Sequence, residues 1–177
     1  MDYRAGDKGV WRSCSIGPQR LTIHSSRRRF AARLNSGVRC QGEAPLFAIK
    51  SSSSDLELIF SAPRPDYFTV ELQSREFRAI REVWAYTDAQ GLAVLFSKLA
   101  AQERPWVGAE SWASLEGEFS LSAACSARGE VALAVSVSGL PGALEEWGLS
   151  ATLITELGQL PSIAAAANRF FCQVGGN

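Results

Sequence analysis

Residues 115–138 constrain the fold of this chain more than any other stretch. Leu115, Gly117, Phe119, Leu121 and Ala123 alternate with Glu116, Glu118, Ser120 and Ser122. Val131, Leu133, Val135 and Val137 then repeat the period against Ala132, Ala134, Ser136 and Ser138. A period of two belongs to a β-strand with one buried face, so two strands are predicted. Between them, Ala127-Arg128-Gly129 suits a three-residue hairpin loop whose third residue takes positive φ, where glycine is least strained. That loop pairs Ser126 with Glu130 and therefore Phe119 with Val137, apolar against apolar.

Similar reasoning organises the rest of residues 45–177. "DLELIFSA" reads as a strand closed by "PRPD", because Pro63 and Pro65 cannot donate to a ladder. "YFTVELQ" places Phe68, Val70 and Leu72 on one face. "EFRAIREVWAY", residues 76–86, fits a strand face (Phe77, Ala79, Val83) or a helix (Phe77, Ile80, Trp84); Val83, Trp84 and Tyr86 favour the strand. Leu92, Leu95, Phe96 and Leu99 form a helical stripe, with Thr87 and Gln90 spaced as a capping box and Pro105 beyond. A strand around "LSATLITEL" and a helix from Pro161, packing through Ile163, Ala167, Phe170 and Phe171, complete the set. The expected fold is α+β: one antiparallel sheet of about five to six strands packed against two helices.

Charge separates this body from what precedes it. The 177 residues carry zero net charge, with 46% apolar and 20% charged residues, as in an ordinary soluble protein. Residues 1–44 hold nine arginines and lysines against Asp2, Asp7 and Glu43, a net of +6, and the remainder carries −6. Residues 1–44 lack sustained periodicity beyond "RLTIH" and read as a basic, irregular and disordered leader. No run reaches the roughly 18–20 apolar residues of a membrane span, and no secretory apolar core is present. Arg27-Arg28-Arg29 superficially matches twin-arginine export, but Arg33, Asn35, Arg39 and Gln41 interrupt the apolar run that export needs. The same arginines could contact nucleic acid, although no nucleic-acid-binding signature surrounds them. A cytoplasmic location is expected, with Cys14, Cys40, Cys125 and Cys172 as free thiols.

The chemistry-bearing residues are few. Four scattered cysteines and the single His24 do not compose a local zinc site, so no metal is expected. No Ser–His–Asp set, P-loop or dinucleotide fingerprint can be placed, so neither a cofactor nor catalytic residues are assigned. Glu116 and Glu118, two apart on the expected strand, would share its wet face rather than serve as an acid–base pair. Trp106 and Trp112 flank Gly108 and Glu110 in the expected loop after the helix, and tryptophans are frequent binding anchors. Trp106, Glu110, Trp112, Glu116 and Glu118 are therefore the candidate partner-binding residues.

"GLAVLFSKLA", "WVGAESWASLEGEFSLSA", "RGEVALAVSVSG", Trp147 and "ELGQLPSIAAAANRFF" resemble an uncharacterised bacterial domain-of-unknown-function family over about residues 47–171. Its pattern is W-x-G-x-x-x-W-x-S-L-E followed by G-x-V-x-L-x-V; the turn before the second motif, often acidic or histidine-bearing there, is "CSAR" here. The resemblance implies a small cytosolic single domain and no established activity. Its general form is similar to that of bacterial immunity proteins. Together with the −6 body, this makes a non-catalytic binder of a basic protein the expected function. The alternatives are a small-molecule binder or enzyme with a pocket near Trp106 and Trp112, and nucleic-acid contact through Arg27–Arg29.

Overall fold

Where alternating apolar residues can share a face, the chain is strand. The computed structural model, which describes residues 45–174 apart from 87 and 89, contains eight strands and two helices, and the longer core strands follow that rule. Strands β1 (Phe47–Lys50), β2 (Glu57–Arg64), β3 (Tyr67–Gln73) and β4 (Arg78–Trp84) form one antiparallel sheet in chain order. Helix α1 (Gly91–Ala100) leads to β5 (Ala109–Ala113), β6 (Phe119–Cys125), β7 (Glu130–Ser138) and β8 (Gly148–Glu156), a second antiparallel sheet, also in chain order. A 3-10 turn over Leu157–Gln159 then opens into α2 (Leu160–Phe171).

The predicted register holds. Phe119 faces Val137, Ser126 N–H donates to the Glu130 carbonyl at 2.8 Å, and Gly129 takes a φ of +83°. On the first sheet, Phe60 faces Val70, Leu58 faces Leu72 and Phe68 faces Val83, all fully or almost fully buried. The inner faces of both sheets meet the helices in one core. The Phe60 ring lies edge-on to Phe119 at 5.8 Å and to Phe171 at 5.6 Å. Burying each such side chain contributes about 1.5–3 kcal/mol. Leu92, Leu95, Phe96 and Leu99 are buried as their spacing requires, and the small Ala164 and Ala167 form part of α2's buried face. Backbone bonds also cross between sheets: Ser52 N–H donates to the Ile154 carbonyl at 2.7 Å.

Four expectations are corrected. The single sheet of five to six strands is two four-stranded sheets, because α1 carries the chain out of the first before the second begins. Pro63 does not end β2: Ala62 takes a φ of 49° and the register shifts between Ser61 and Arg64, a bulge that spares the proline a ladder bond. The strand β6 starts at Phe119, so Leu115 to Glu118 is a turn in which Leu115 is exposed and Glu118 is buried. Gln90 is the N-cap of α1 but does not reach back; its side-chain amide donates to the Phe171 and Val174 carbonyls, both at 2.8 Å, tying α1 to the end of α2. Residues 76–86 contain strand β4, the favoured of the two readings. The basic leader, its "RLTIH" strand, Arg27–Arg29 and Thr87 lie outside the described residues.

Candidate functional site

Antiparallel order brings the same ends of both sheets together. At one end lie the β2–β3 turn with Asp66, the exit of β4 (Trp84, Ala85, Tyr86) and the approach to α1 (Asp88). The exit of β5 (Trp112, Ala113), the 114–118 turn and the 139–147 loop complete it. Hydrogen bonds weld these pieces. Ala85 N–H donates to the Asp66 carbonyl and Ser138 N–H to the Glu118 carbonyl, both at 2.8 Å. Gly139 N–H donates to the Trp147 carbonyl at 2.9 Å, and Ser138 Oγ–H to the Gly117 carbonyl at 3.1 Å.

Within this end, Trp84, Ala85, Asp88, Trp112, Ala113 and Leu115 line a recess of about 160 Å³. Trp112 projects from β5 and packs against Phe68 and Phe119, with ring centroids at 6.5 and 6.2 Å. Its indole Nε1–H donates to Asp88 Oδ2 at 2.6 Å. Trp84 is stacked on exposed Tyr86 at 5.7 Å with an interplanar angle of 11°. Gly91 makes this arrangement possible: a Cβ there would overlap both Asp88 Oδ2 and Trp112 Nε1. Trp147 is seated in the same way, since a Cβ on Gly139 would lie 2.7 Å from its Nε1.

Charge and apolar exposure both concentrate here. Asp66, Asp88, Glu116, Glu145 and Glu146 belong to this end, and none of them is in an ion pair among the described residues. The basic group nearby, Arg64, is paired with Glu82 and stands over the Tyr67 ring at 5.5 Å. Elsewhere, Lys50 pairs with Glu57, Arg75 with Asp55, and Lys98 with Glu110, while Glu76, Glu103, Glu130 and Glu156 stand apart, in no ion pair among the described residues. Glu71 binds Arg78 through two hydrogen bonds, which raise the guanidinium's pKa above its ordinary value; the carboxylate's charge adds to the shift. Tyr67, Tyr86, Leu115, Leu140, Leu144 and Trp147 are exposed at the acidic end. A larger groove of about 610 Å³ lies at the opposite end, but there Arg128 stands beside Glu130 and Glu156, and no aromatic side chain lines it.

The five sequence-predicted residues divide. Trp112 lines the recess and Glu116 stands exposed on the adjoining turn. Glu118 points inward, 3% exposed, and accepts from Ser114 Oγ–H at 2.6 Å, so it shares no wet face with Glu116. Glu110 is paired to Lys98 at 2.6 Å. Trp106 lies beyond the far end of β5, half-buried, with its buried Nε1–H unpartnered. Trp106 and Trp112 thus form no common pocket. Trp84, Tyr86 and Asp88 were missed, although "WAYTD" just before an amphipathic helix, two aromatics and an acid at its threshold, carried the signal.

Chemically, this end can hold a positively charged group against indole rings and a fixed carboxylate, and can bury apolar partners around it. Among the described residues, no cluster of three or more His, Cys, Asp or Glu could hold a metal ion, and no helix is long and apolar enough to cross a membrane. No curated protein matches the chain. Residues 50–174, spanning both sheets and both helices apart from the first three residues of β1, match the model of a family of unknown function, and the chain belongs to that family, DUF6228.

Proposed function

We propose that this protein is a non-catalytic interaction module that binds a basic protein through its acidic, aromatic end. The observation that carries this reading is the coincidence, on one surface, of unpaired carboxylates with exposed Tyr86, Leu115, Leu144 and Trp147. Apolar and aromatic side chains supply the desolvated centre that most binding energy comes from. Unmatched like charges around them steer an oppositely charged partner and reject acidic ones. Occupying a basic effector in the manner of an immunity protein is the specific form this function would take. A small-molecule pocket beside Trp112 fits less well, since the recess there, about 160 Å³, is smaller than the ~300–1,000 Å³ typical of ligand sites.

The test compares two charge-matched variants of the full chain. One carries Glu116→Gln, Glu145→Gln and Glu146→Gln at the acidic end; the other carries Glu103→Gln, Glu130→Gln and Glu156→Gln away from it. Wild type and the second variant should capture the same basic protein from the source organism's lysate, in a salt-sensitive manner, and the first should lose most of it. Equal capture by both variants, or capture of acidic proteins, would overturn the reading.

A further inference from the structure

We infer that the recess between Trp84 and Trp112 receives an arginine side chain of the partner. This deepens, and rests on, the reading of the acidic end as a docking surface. Two indoles line the recess, and indole is the aromatic ring that attracts a cation most strongly. Asp88 supplies the opposite charge from a fixed position. Its Oδ2 is occupied by the Trp112 indole N–H at 2.6 Å, leaving Oδ1 as an acceptor. Its carbonyl receives Gly91 N–H at 3.0 Å, which sets the residue against the first turn of α1. A carboxylate held by the indole, on a backbone held at the helix start, loses less freedom on binding than an untethered one.

The chemistry of the lining separates the possible cations. A quaternary ammonium has no N–H and would leave Asp88 Oδ1 without a donor. A lysine ammonium is compact and strongly hydrated, so a shallow recess returns less of its solvation. A guanidinium is planar and weakly hydrated, stacks on aromatic faces, and carries a fork of donors for a carboxylate. The same end already accommodates one such group, since Arg64 lies 5.5 Å over the centre of the Tyr67 ring while paired with Glu82. The recess offers the same pairing of ring and carboxylate with the guanidinium place unfilled by any side chain of the described residues.

The experiment is a titration of the isotopically labelled full chain, followed through the indole N–H resonances of Trp84 and Trp112. The probe is the tripeptide Gly-Arg-Gly with both ends blocked; comparators carry lysine or the uncharged isostere citrulline in place of arginine, and tetramethylammonium is added separately. The arginine peptide should give saturable shifts with a Kd of about 1–10 mM, the range of a single-side-chain fragment. Lysine should bind at least about fivefold more weakly, and citrulline should not saturate. Asp88→Asn keeps an acceptor for Trp112 but removes the charge, and should weaken the arginine peptide about tenfold while leaving the Trp112 resonance dispersed. Equal binding of citrulline, tighter binding of lysine or tetramethylammonium, or no saturable shift would overturn the assignment. If the arginine peptide fails while capture still depends on Glu116, Glu145 and Glu146, the recess assignment falls and the docking surface stands; if that dependence is absent too, both fall.

Discussion

Gly91→Ala is the substitution in which local propensity and packing disagree most openly. Alanine replacing glycine in a helix gains up to about 1 kcal/mol, so a reading of the helix alone predicts a more stable protein. The surroundings predict the reverse. A Cβ at Gly91 would lie 2.5 Å from Asp88 Cγ and would overlap Asp88 Oδ2 and Trp112 Nε1. Asp88 is exposed and can swing away, but only by giving up its hydrogen bond to the indole. Trp112 cannot retreat freely, because Phe68 and Phe119 pack against it. Losing a hydrogen bond to a charged group costs about 1.5–3 kcal/mol, and overpacking about 1–3 kcal/mol. Because relieving the clash and losing the bond are partly one event, a net loss of about 2 kcal/mol is expected after the helix gain. Chemical denaturation followed by tryptophan emission measures it. Repeating Gly91→Ala in an Asp88→Ala background should make it about 1 kcal/mol less costly, since one of the two obstructing groups is gone. A Gly91→Ala protein more stable than wild type would refute the reasoning.

Two other glycines give contrasting outcomes. Gly129→Ala should lose more than about 1 kcal/mol by conformational strain alone, because φ is +83° while the nearest atom to a new Cβ is Leu157 Cβ at an ordinary 3.8 Å; an unchanged melting temperature would contradict it. Gly139→Ala should shift tryptophan emission to the red yet change stability by less than about 1 kcal/mol. The side chain it displaces, Trp147, is 45% exposed on a loop and can move outward. A large destabilisation with unaltered emission would mean that Trp147 is anchored more firmly than its exposure implies.

Periodicity made the strands of the core legible, and for a stated reason. In "YFTVELQ" and in residues 119–137 one face is fully buried, so a slip of one residue would place every apolar side chain in water. The helices were legible on the same ground, through Leu92, Leu95, Phe96 and Leu99 and through Phe170 and Phe171. Strands β1 and β5 were not: four and five residues are too short to display a period. Without β5, Trp112 reads as a loop residue beside Trp106, and without β1 and β5 the eight strands read as about six. The recess itself could not be read locally. Trp84, Asp88 and Trp112 converge only because β4, the threshold of α1 and β5 end side by side, a juxtaposition of two sheets that no window of the sequence contains.

Glu118 shows how far such a displacement of register reaches. An alternation begun at Leu115 puts Leu115 inside and Glu118 in water, but the chain turns at Gly117, whose φ is +74°, and the assignments reverse. Ser114 Oγ then stands between two groups: it donates to Glu118 Oε2 at 2.6 Å and accepts from Phe119 N–H at 3.2 Å. With Ser114 at 6% and Glu118 at 3% exposure, neither partner can turn to water instead. Glu118→Ala leaves the hydroxyl proton without its acceptor and opens space beneath the turn, so a loss of about 2–3 kcal/mol is expected. Glu118→Gln preserves volume and one acceptor oxygen, and should lose less than about 1.5 kcal/mol. The order of the two, read from denaturation midpoints, is the decisive quantity. If glutamine costs as much as alanine, the bond to Ser114 is not what holds the turn. The turn also fixes Leu115 beside Trp112, so Glu118→Ala should disturb the Trp112 indole resonance as well, although Glu118 does not line the recess. An acid first placed among partner-binding residues would then act on that surface from underneath, by holding its floor in position.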